Sequence, residues 1–394
     1  MSPKKNILVI GASFVGTRMA AALASTSPNT HRVLLIEPHS HFFHLFTFPR
    51  IAVAGGFEHK AFIPFSGFFK AEGVSEEKGR VVRARVESVG EGRVVLDREV
   101  DVTGDGVKGK EIEYDFAVIA TGTILTPPGT LKEEEKVEGI EYFKKHQQRI
   151  IESHKIVLLG GGAVGVQMAT DLKELYPHKQ VTLVHSREHL MSRFHPKLSD
   201  IVVKRMNELG VELVLGDRAV IPAEGFPVGE GEFDVQLQSG RRVRADFAII
   251  TIGQTPNSSL LASLSPSSIL PSKFIDVKPT LQIADPKYPH IFAVGDIANT
   301  GAGKAARPAM EQVRVTAANI NRLIAGEGEA LETYSYGPDA IHLTLGIKKN
   351  VIFRNPSTPG GEPQIVAEKD DGVLDLGVER RWAGMGASLN DFHA

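Results

Sequence analysis

A strand, a glycine-rich turn, a helix and a second strand follow one another twice in this 394-residue chain. Because two parallel strands joined by a helix are the unit of doubly wound sheets, the duplication predicts an α/β fold with two Rossmann-like halves. The units open at residues 7–10 and 156–159, each an apolar run directly before glycines. After Tyr334, short apolar stretches alternate with Gly and Pro, which indicates a small C-terminal α+β domain.

Hydrophobic periodicity predicts the order of the remaining elements. The predicted strands lie at residues 33–36, 81–89, 94–97, 116–120, 181–184, 247–252, 341–345 and 351–353, and the predicted helices at 17–24, 132–151, 165–176 and from 309 onward. A Ser- and Pro-rich stretch at 256–273 is typical of a linker that returns to the first domain. We therefore expect a first domain at residues 1–128 and 255–330, an inserted domain at 129–254 and a C-terminal domain at 331–394.

The composition excludes several classes of protein. The chain has 45 Lys and Arg against 47 Asp and Glu, so no net field favours nucleic acid or an anionic membrane. It has no cysteine, which excludes disulfides, thiolate nucleophiles and a redox-active cysteine pair. No secretory leader and no membrane-spanning run are predicted. We expect a cytoplasmic or peripheral protein, a monomer or homodimer, without a nucleic-acid partner.

The first glycine-rich turn predicts a dinucleotide site. Gly11, Ser13 and Gly16 form a G-x-S-x-x-G sequence between a strand and a helix, with Ser in place of the glycine that lets the backbone approach a pyrophosphate. Glu37 ends the next strand, where a carboxylate can accept hydrogen bonds from a ribose. The strand, the helix and the carboxylate together favour nucleotide binding over an ordinary glycine turn.

The second turn is a full G-x-G-x-x-G sequence formed by Gly160, Gly162 and Gly165. Two such turns imply two dinucleotides. His185 occupies the position that matches the carboxylate of the first unit, so nothing there repels a 2′-phosphate, and Arg187 can pair with one. We therefore expect NADPH to be accepted at least as well as NADH. The alternative is that both side chains are solvated residues at a strand end.

Two further groups of residues suggest a function. Gly295-Asp296 follows an apolar strand and precedes a predicted helix, which places a carboxylate beside a helix N-terminus. His39, His41 and His44 cluster in the sequence, but a His-x-His-x-x-His run without a supporting carboxylate is a weak zinc signal. No metal site is therefore predicted.

The order of these motifs resembles the pyridine-nucleotide flavoprotein oxidoreductases, in particular the apoptosis-inducing-factor-like branch that contains the ferroptosis suppressor proteins and their fungal relatives. Besides the two turns, the likeness is carried by residues 41–50, Thr121-Gly122, residues 171–186 and Gly295-Asp296. It weakens after about residue 330. The resemblance implies an FAD domain with an inserted NAD(P) domain, and it leaves open a peripheral contact with a mitochondrial or lipid-droplet surface.

The resemblance also implies which residues bind the two cofactors. The first turn would hold the FAD pyrophosphate, Glu37 its adenosine ribose, and Thr121 and Gly122 would line the same cleft. Gly295 and Asp296 would hold the ribityl and flavin end. The second turn, with His185 and Arg187 at the next strand end, would hold NADH or NADPH as the reductant.

Two catalytic roles follow from the resemblance alone. Pro49 and Arg50 would approach the flavin from one side, and Arg50 could stabilise the negative charge of reduced flavin. The alternative for Arg50 is an exposed loop cation. Residues 307–312 would pass beside the ring, with Gln312 as a polar neighbour.

The chain departs from the family pattern at two places. Relatives commonly carry Gly-Val-Glu after the second turn, whereas this chain has Gln167 in place of the glutamate. A neutral amide cannot act as a proton-handling carboxylate. The hydrophobic segment by which ferroptosis suppressor proteins reach membranes is not evident after Tyr334, so a peripheral contact with lipid stays an open alternative.

These features predict an FAD-dependent NAD(P)H oxidoreductase. Because no cysteine pair can relay electrons, they must leave the flavin directly, and the resemblance implies a quinone-like acceptor. Its pocket is expected opposite the nicotinamide, with an apolar wall that includes Phe42, Phe43, Phe46 and Phe48. Two other functions remain open: a slow-turnover FAD and NAD(P)H redox sensor or apoptosis-related signalling protein, and a flavoprotein that tailors a specialised metabolite.

Overall fold

The computed structural model describes residues 4–101, 107–229 and 231–393, so residues 1–3, where no leader is predicted, lie outside it. The α-helices in this part of the chain are α1 (Phe14–Thr26), α2 (Phe48–Ile51), α3 (Phe68–Ala71), α4 (Lys136–Glu152), α5 (Ala163–Leu175), α6 (Pro196–Leu209), α7 (Ala306–Ile324) and α8 (Glu379–Gly384). Short 3-10 helices occupy Leu45–Thr47, Glu58–Ala61, Ser259–Leu261, Pro266–Ser268, Gly295–Ile297 and Gly328–Ala330. In these described residues, no helix has the length and apolarity to cross a membrane.

The strands form two parallel sheets and several small antiparallel ones. In chain order they are β1 (Lys5–Ile10), β2 (His31–Glu37), β3 (His41–Phe43), β4 (Phe62–Pro64), β5 (Gly79–Arg83), β6 (Val86–Gly90), β7 (Arg93–Asp101), β8 (Lys108–Glu113), β9 (Phe116–Ile119), β10 (Thr123–Leu125), β11 (Lys155–Leu159), β12 (Gln180–Val184), β13 (Glu212–Val214), β14 (Phe233–Gln236), β15 (Arg242–Ala245), β16 (Phe247–Ile250), β17 (Gln254–Pro256), β18 (Ile275–Asp276), β19 (Ile291–Ala293), β20 (Ala298–Asn299), β21 (Ala340–Thr344), β22 (Lys349–Arg354) and β23 (Gln364–Asp370).

The two parallel sheets confirm the predicted pair of Rossmann-like halves. The first has the order β19-β9-β1-β2-β5, and the second has the order β13-β12-β11-β16. Strand β19 joins the first sheet although the whole second sheet precedes it in the chain. Strands β10 and β17 pair antiparallel where the chain enters and leaves the second half. The domain boundaries at residues 128, 254 and 330 stay a proposal.

Each sheet is covered by helices that bury its apolar strands. Helices α1 and α7 pack together on the first sheet, and their small and β-branched side chains share one core with Val9, Leu35 and Phe292. Helices α5 and α6 pack on the second sheet, around Leu158 and Leu183. Both glycine-rich turns therefore lie at the carboxyl ends of parallel strands, where ligands bind in doubly wound sheets.

The C-terminal residues share the cores of the two halves. Strands β21, β22 and β23 form an antiparallel sheet, and Val351 and Phe353 belong to the core around α5 and α6. Trp382 of α8 is fully buried in the other core, with α1 and α7. The expected strands are present, but they form no apolar core of their own within the described residues, because their buried side chains join the core around α5 and α6, while α8 joins the core of α1 and α7.

Several element boundaries differ from the sequence predictions. Helix α1 begins at Phe14 rather than residue 17, because the turn ends at the N-cap Ser13. The surface helix begins at Lys136 rather than residue 132. The predicted strand at 81–89 is two strands, β5 and β6, which belong to different sheets.

Candidate functional site

The first glycine-rich turn connects β1 to α1. Gly11 has a φ of 100°, and a Cβ atom there would lie 2.7 Å from the carbonyl oxygen of Ala120. A Cβ atom at Gly16 would collide with the carbonyl oxygen of Gly11. Both positions therefore require glycine, because the turn packs directly against α1 and against the end of the neighbouring strand.

Ser13 stands at a position that does not require glycine. It is the N-cap of α1, with φ −78° and ψ −159°, and any residue adopts this conformation. The matching residue of the second turn, Gly162, has φ −85° and ψ −175°, and a Cβ atom there would meet none of the described atoms within 4 Å. The first turn therefore carries its serine without strain and can still receive a pyrophosphate at the helix N-terminus.

Glu37 ends β2 beside this turn and is almost fully buried. Its Oε2 accepts a hydrogen bond from the Ala12 N–H at 2.6 Å, and its Oε1 accepts one from the His39 N–H at 3.1 Å and contacts the His39 ring. Burial alone raises the pKa of Glu37, but the hydrogen bonds from His39 and Ala12 outweigh it and hold the pKa below its ordinary value. An ionised carboxylate therefore lies at the end of β2 beside the first turn, and its predicted contact with an adenosine ribose stays a prediction.

The second turn repeats the geometry of the first. Gly160 has a φ of 131°, and a Cβ atom there would lie 2.8 Å from Oγ1 of Thr251. A Cβ atom at Gly165 would collide with the carbonyl oxygen of Gly160, whereas Gly162 faces open space. The open position lies at the N-terminus of α5, so the backbone is accessible to a phosphate there.

His185 has the place in the second half that Glu37 has in the first. Its Nδ1 accepts a hydrogen bond from the Gly161 N–H at 3.1 Å, as Glu37 accepts one from Ala12. Burial, together with the charge of Arg187, lowers the pKa of His185, so the ring is neutral near neutral pH. We assign the proton to Nε2, which is buried and has no hydrogen-bond partner among the described residues.

A cleft of about 270 Å³ lies in front of the second turn. Gly161, Gly162 and His185 line one wall, and the segment before α7 and the start of β21 line the other. Arg187 is exposed beside the cleft and bonds Ser192, while Arg193 in the lining pairs with a carboxylate at 2.9 Å. This cationic rim suits the phosphates of a nucleotide.

Gly295 and Asp296 lie beside the first turn. Gly295 has a φ of 76°, and its Cβ would lie 3.1 Å from the side chain of Val15, so this segment packs against the first turn of α1. Burial raises the pKa of Asp296, and the charges of Lys304 and Arg193 oppose that rise. Both cations line the cleft in front of the second turn. Asp296 therefore lies beside the first turn and within range of the two cations that line the cleft at the second turn.

Thr121 and Gly122 follow β9 at the carboxyl end of the first sheet. The Thr121 hydroxyl donates to the Asn257 carbonyl at 2.7 Å, and the Gly122 carbonyl accepts from the Asn257 N–H at 3.1 Å. These bonds hold the segment after β17 against the first half. Pro49 is buried within α2.

Arg50 is buried away from solvent, so its expected place at the flavin and the loop-cation alternative are both wrong. Its side chain is 0% exposed, and its Nε donates to Oδ2 of Asp171 on α5 at 2.6 Å. Its Nη2 donates to the carbonyl of Gly346 at 2.9 Å, and its Nη1 to those of Val373 and Leu374 at 3.3 Å. The guanidinium is thus occupied in joining α2, α5 and the C-terminal segment.

Gln312 is likewise occupied inside the protein. It is 2% exposed, its Oε1 accepts from the Gly295 N–H at 2.7 Å, and its Nε2 reaches the Thr300 hydroxyl at 3.4 Å. The bond to Gly295 positions the Gly295-Asp296 turn, and the expected role of Gln312 at the flavin ring stays a prediction. The side chain of Arg307, predicted to lie nearby, is outside the described part of the structure.

The expected aromatic wall of an acceptor pocket is only partly formed. Phe42, Phe43 and Phe48 are buried in the two cores, so they cannot line an open pocket. Phe46 is 56% exposed, and its ring packs on Phe14 at a centroid distance of 4.4 Å. Of the four predicted rings, only Phe46 is therefore open to solvent, with Phe14 as its neighbour.

The three clustered histidines point to different partners. His39 contacts Glu37, and Nδ1 of His41 lies 2.8 Å from the Ser40 hydroxyl. Nδ1 of His44 is buried without a described hydrogen-bond partner. Across residues 4–101, 107–229 and 231–393, no three His, Asp or Glu side chains are grouped as metal ligands.

Four functional or structural residues carried no sequence signal. Lys304 and Arg193 enter the cleft, Asp171 pairs with Arg50, and Arg381 of α8 donates to the hydroxyl of Thr17 at 2.9 Å. Arg381 and Thr17 are 364 positions apart in the chain. Periodicity and motif spacing cannot indicate such contacts.

Comparisons with known proteins agree with this geometry. The pyridine nucleotide-disulphide oxidoreductase family model matches residues 5–318. Fe-regulated protein 8 of Mycosarcoma maydis is 36% identical over 98% of this chain and 96% of its own length. Ferroptosis suppressor protein 1 of Taeniopygia guttata is 28% identical over 97% of this chain and 96% of its own length. The sequence likeness thus extends into the C-terminal residues.

Solved structures share the fold. The sulfide:quinone oxidoreductase of Aquifex aeolicus superposes with a TM-score of 0.72 at 18% identity, over 97% of this chain and 92% of that one. The Plasmodium falciparum NDH2 complex with NADH gives a TM-score of 0.68 at 12% identity, over 95% and 92%. The predicted cofactors, FAD and a nicotinamide dinucleotide, are confirmed by the family match. The chain belongs to the pyridine nucleotide-disulphide oxidoreductase family and, within it, to the apoptosis-inducing-factor-like branch.

Proposed function

We propose that this FAD-dependent NAD(P)H oxidoreductase delivers its electrons to a quinone-like small molecule. In the balanced reaction, NAD(P)H gives a hydride, solvent gives a proton, and the quinone becomes a hydroquinone. Bound FAD supplies the hydride acceptance and the onward transfer of electrons. The proposal rests chiefly on two dinucleotide turns in a chain without cysteine, with Gly295-Asp296 beside the first turn and near the charges of Lys304 and Arg193, which line the cleft at the second.

The residues around the cleft support a nicotinamide nucleotide as the reductant. The open backbone at Gly162 offers N–H groups to the pyrophosphate, and His185 lines the same cleft. Lys304 and Arg193 add positive charge on the side that faces Asp296. These groups would orient the nicotinamide toward the first half, where Glu37 and the first turn would hold FAD.

The lack of cysteine supports a small, direct acceptor. Many members of a disulphide oxidoreductase family pass electrons through paired thiols, but this chain has none. The Aquifex aeolicus protein of the same fold is, by its name, a sulfide:quinone oxidoreductase. A quinone accepts two electrons without any protein thiol, so it fits both observations.

The test is anaerobic reduction of the holoprotein by NADPH or NADH, followed by mixing with menadione, a short-chain ubiquinone or oxygen. We expect at least one quinone to restore the oxidised flavin spectrum more than about tenfold faster than oxygen at equal concentration, because a binding pocket raises the local acceptor concentration. If no quinone is faster than oxygen, the quinone proposal fails, and the sensor or metabolite-tailoring function replaces it.

Arg187→Ala tests how the reductant is selected. If Arg187 pairs with the 2′-phosphate, its loss should lower kcat/KM for NADPH about tenfold, since one charge-assisted contact contributes about 1.5 kcal/mol, and should leave NADH nearly unchanged. Arg241→Ala is the matched control. Arg241 is an exposed cation of the same half that pairs with Glu212 at 3.0 Å, at the opposite edge of the sheet. Equal losses for both nucleotides would make Arg187 an ordinary surface residue.

A further inference from the structure

A cation without a nearby counter-charge lies beside the first turn. Arg381 of α8 donates from Nη2 to the Thr17 hydroxyl at 2.9 Å, and its Nε is buried with no described hydrogen-bond partner. None of the described carboxylates lies within ion-pair distance of it, and Arg18 and Glu72 act on it only through their more distant charges. A partly buried cation without a counter-charge is unfavourable, so its place calls for an explanation.

Aromatic rings surround this guanidinium. Its central carbon lies 4.2 Å from the ring centroid of Phe42 and 5.1 Å from that of Phe14. His44 packs edge-on against Phe14 at 5.3 Å, and the exposed ring of Phe46 lies on Phe14 at 4.4 Å. Cation–π contacts compensate part of the desolvation of the arginine, but they leave its Nε–H free.

The recess formed by Phe14, His44, Phe46 and Arg381, called here the arginine recess, adjoins the expected flavin end of the FAD site. Phe14 directly follows the Ser13 N-cap, and its neighbour Val15 lies against Gly295. Phe46 and part of Arg381 remain open to solvent, so a small molecule can enter from outside.

We propose that the arginine recess is the acceptor site and that it selects planar aromatic acceptors that carry an anionic oxygen. This inference rests on the proposed function and names the substrate class of the same reaction. The ring of the acceptor would stack on Phe46 and Phe14, and its anionic group would pair with the part of the Arg381 guanidinium that stays open to solvent. Arg381 thus supplies the positive charge that the sequence had suggested for Arg50.

Trp382 anchors α8 and thereby holds Arg381 beside the first turn, although the two segments are far apart in the chain. The Trp382 ring is fully buried, and its Nε1 donates to the Lys60 carbonyl at 2.8 Å. Trp382 is also the only tryptophan of the chain, so its fluorescence reports binding next to Arg381.

The experiment compares 1,4-naphthoquinone-2-sulfonate with neutral menadione, titrated into the oxidised holoprotein while Trp382 fluorescence is followed. We expect Arg381→Gln to weaken binding of the sulfonate about tenfold and that of menadione much less, since only the sulfonate has a charge-assisted contact to lose. Arg380→Gln removes the same charge from an exposed neighbour on the same helix, and we expect no change. The KM for the sulfonate should follow its dissociation constant in each variant.

Phe46→Ala provides a second variant whose folding is not at risk, because Phe46 is 56% exposed. Phe46→Ala should weaken the binding of both quinones to a similar degree, since both would stack on the Phe46 ring. The inference is overturned if Arg381→Gln binds both quinones as the unsubstituted protein does, or if Arg380→Gln shows the same loss. If the sulfonate binds through Arg381 but NADPH and NADH never reduce the protein, the proposed function fails. The arginine recess would then still be a binding site for the anionic ring.

Discussion

Asp171→Ala is expected to destabilise the protein by about 3–5 kcal/mol, because it leaves the Arg50 guanidinium buried without a counter-charge. Both side chains are 0% exposed, and their atoms Nε and Oδ2 lie 2.6 Å apart. Burial raises the pKa of Asp171 to about 6, although Arg50 opposes that rise, so the carboxylate is ionised above neutral pH. Urea unfolding at slightly alkaline pH, followed by circular dichroism, measures the change.

Two controls separate this buried pair from a general loss of charge. Glu208→Ala removes an exposed partner of Arg205, 3.1 Å away, and should destabilise the protein far less than Asp171→Ala does, because solvent screens an exposed ion pair. The double variant Arg50→Met, Asp171→Leu replaces both charges by apolar groups and should recover most of the lost stability. If Asp171→Ala is no more destabilising than Glu208→Ala, the pair does not hold the C-terminal segment to the two halves.

Glu37→Ala is expected to weaken FAD binding about 100-fold, because two hydrogen bonds from ribose hydroxyls to a carboxylate contribute about 1.5 kcal/mol each. The measurement is the dissociation constant of FAD for the deflavinated protein, from the quenching of flavin fluorescence. Glu37→Gln keeps one acceptor oxygen and should lose less. FAD retention unchanged in Glu37→Ala would contradict the placement of the adenosine ribose at this residue.

The pH dependence gives a second readout for Glu37. Since hydrogen bonds from His39 and Ala12 hold its pKa below the ordinary value of 4.5, the folded state prefers the ionised form. Its contribution to stability is therefore full above that pH and is lost as the pH falls through the lowered pKa. The stability difference between the unsubstituted protein and Glu37→Gln should shrink in the same acidic range.

The fold and the two dinucleotide turns were predictable from the sequence because they depend on local rules. A strand, a Gly-x-x-x-x-Gly turn and a helix fix a positive φ at Gly11 and Gly160 and a close approach at Gly16 and Gly165. The absence of cysteine excludes a thiol relay from the sequence alone. The placement of Glu37 followed from the period of the strand that it ends.

The tertiary structure alone decided which charged and aromatic side chains face each other. Arg50 belongs to a family-like segment, but its guanidinium meets Asp171 and backbone carbonyls from the far end of the chain, and this contact removes it from any flavin. Arg381 had no motif, yet packing of Trp382 brings it to the first turn. Sequence patterns record local geometry and burial. Long-range pairs such as Arg50 with Asp171 and Arg381 with Thr17 depend instead on how the last fifty or so residues fold back over both halves. No period along the chain encodes these contacts.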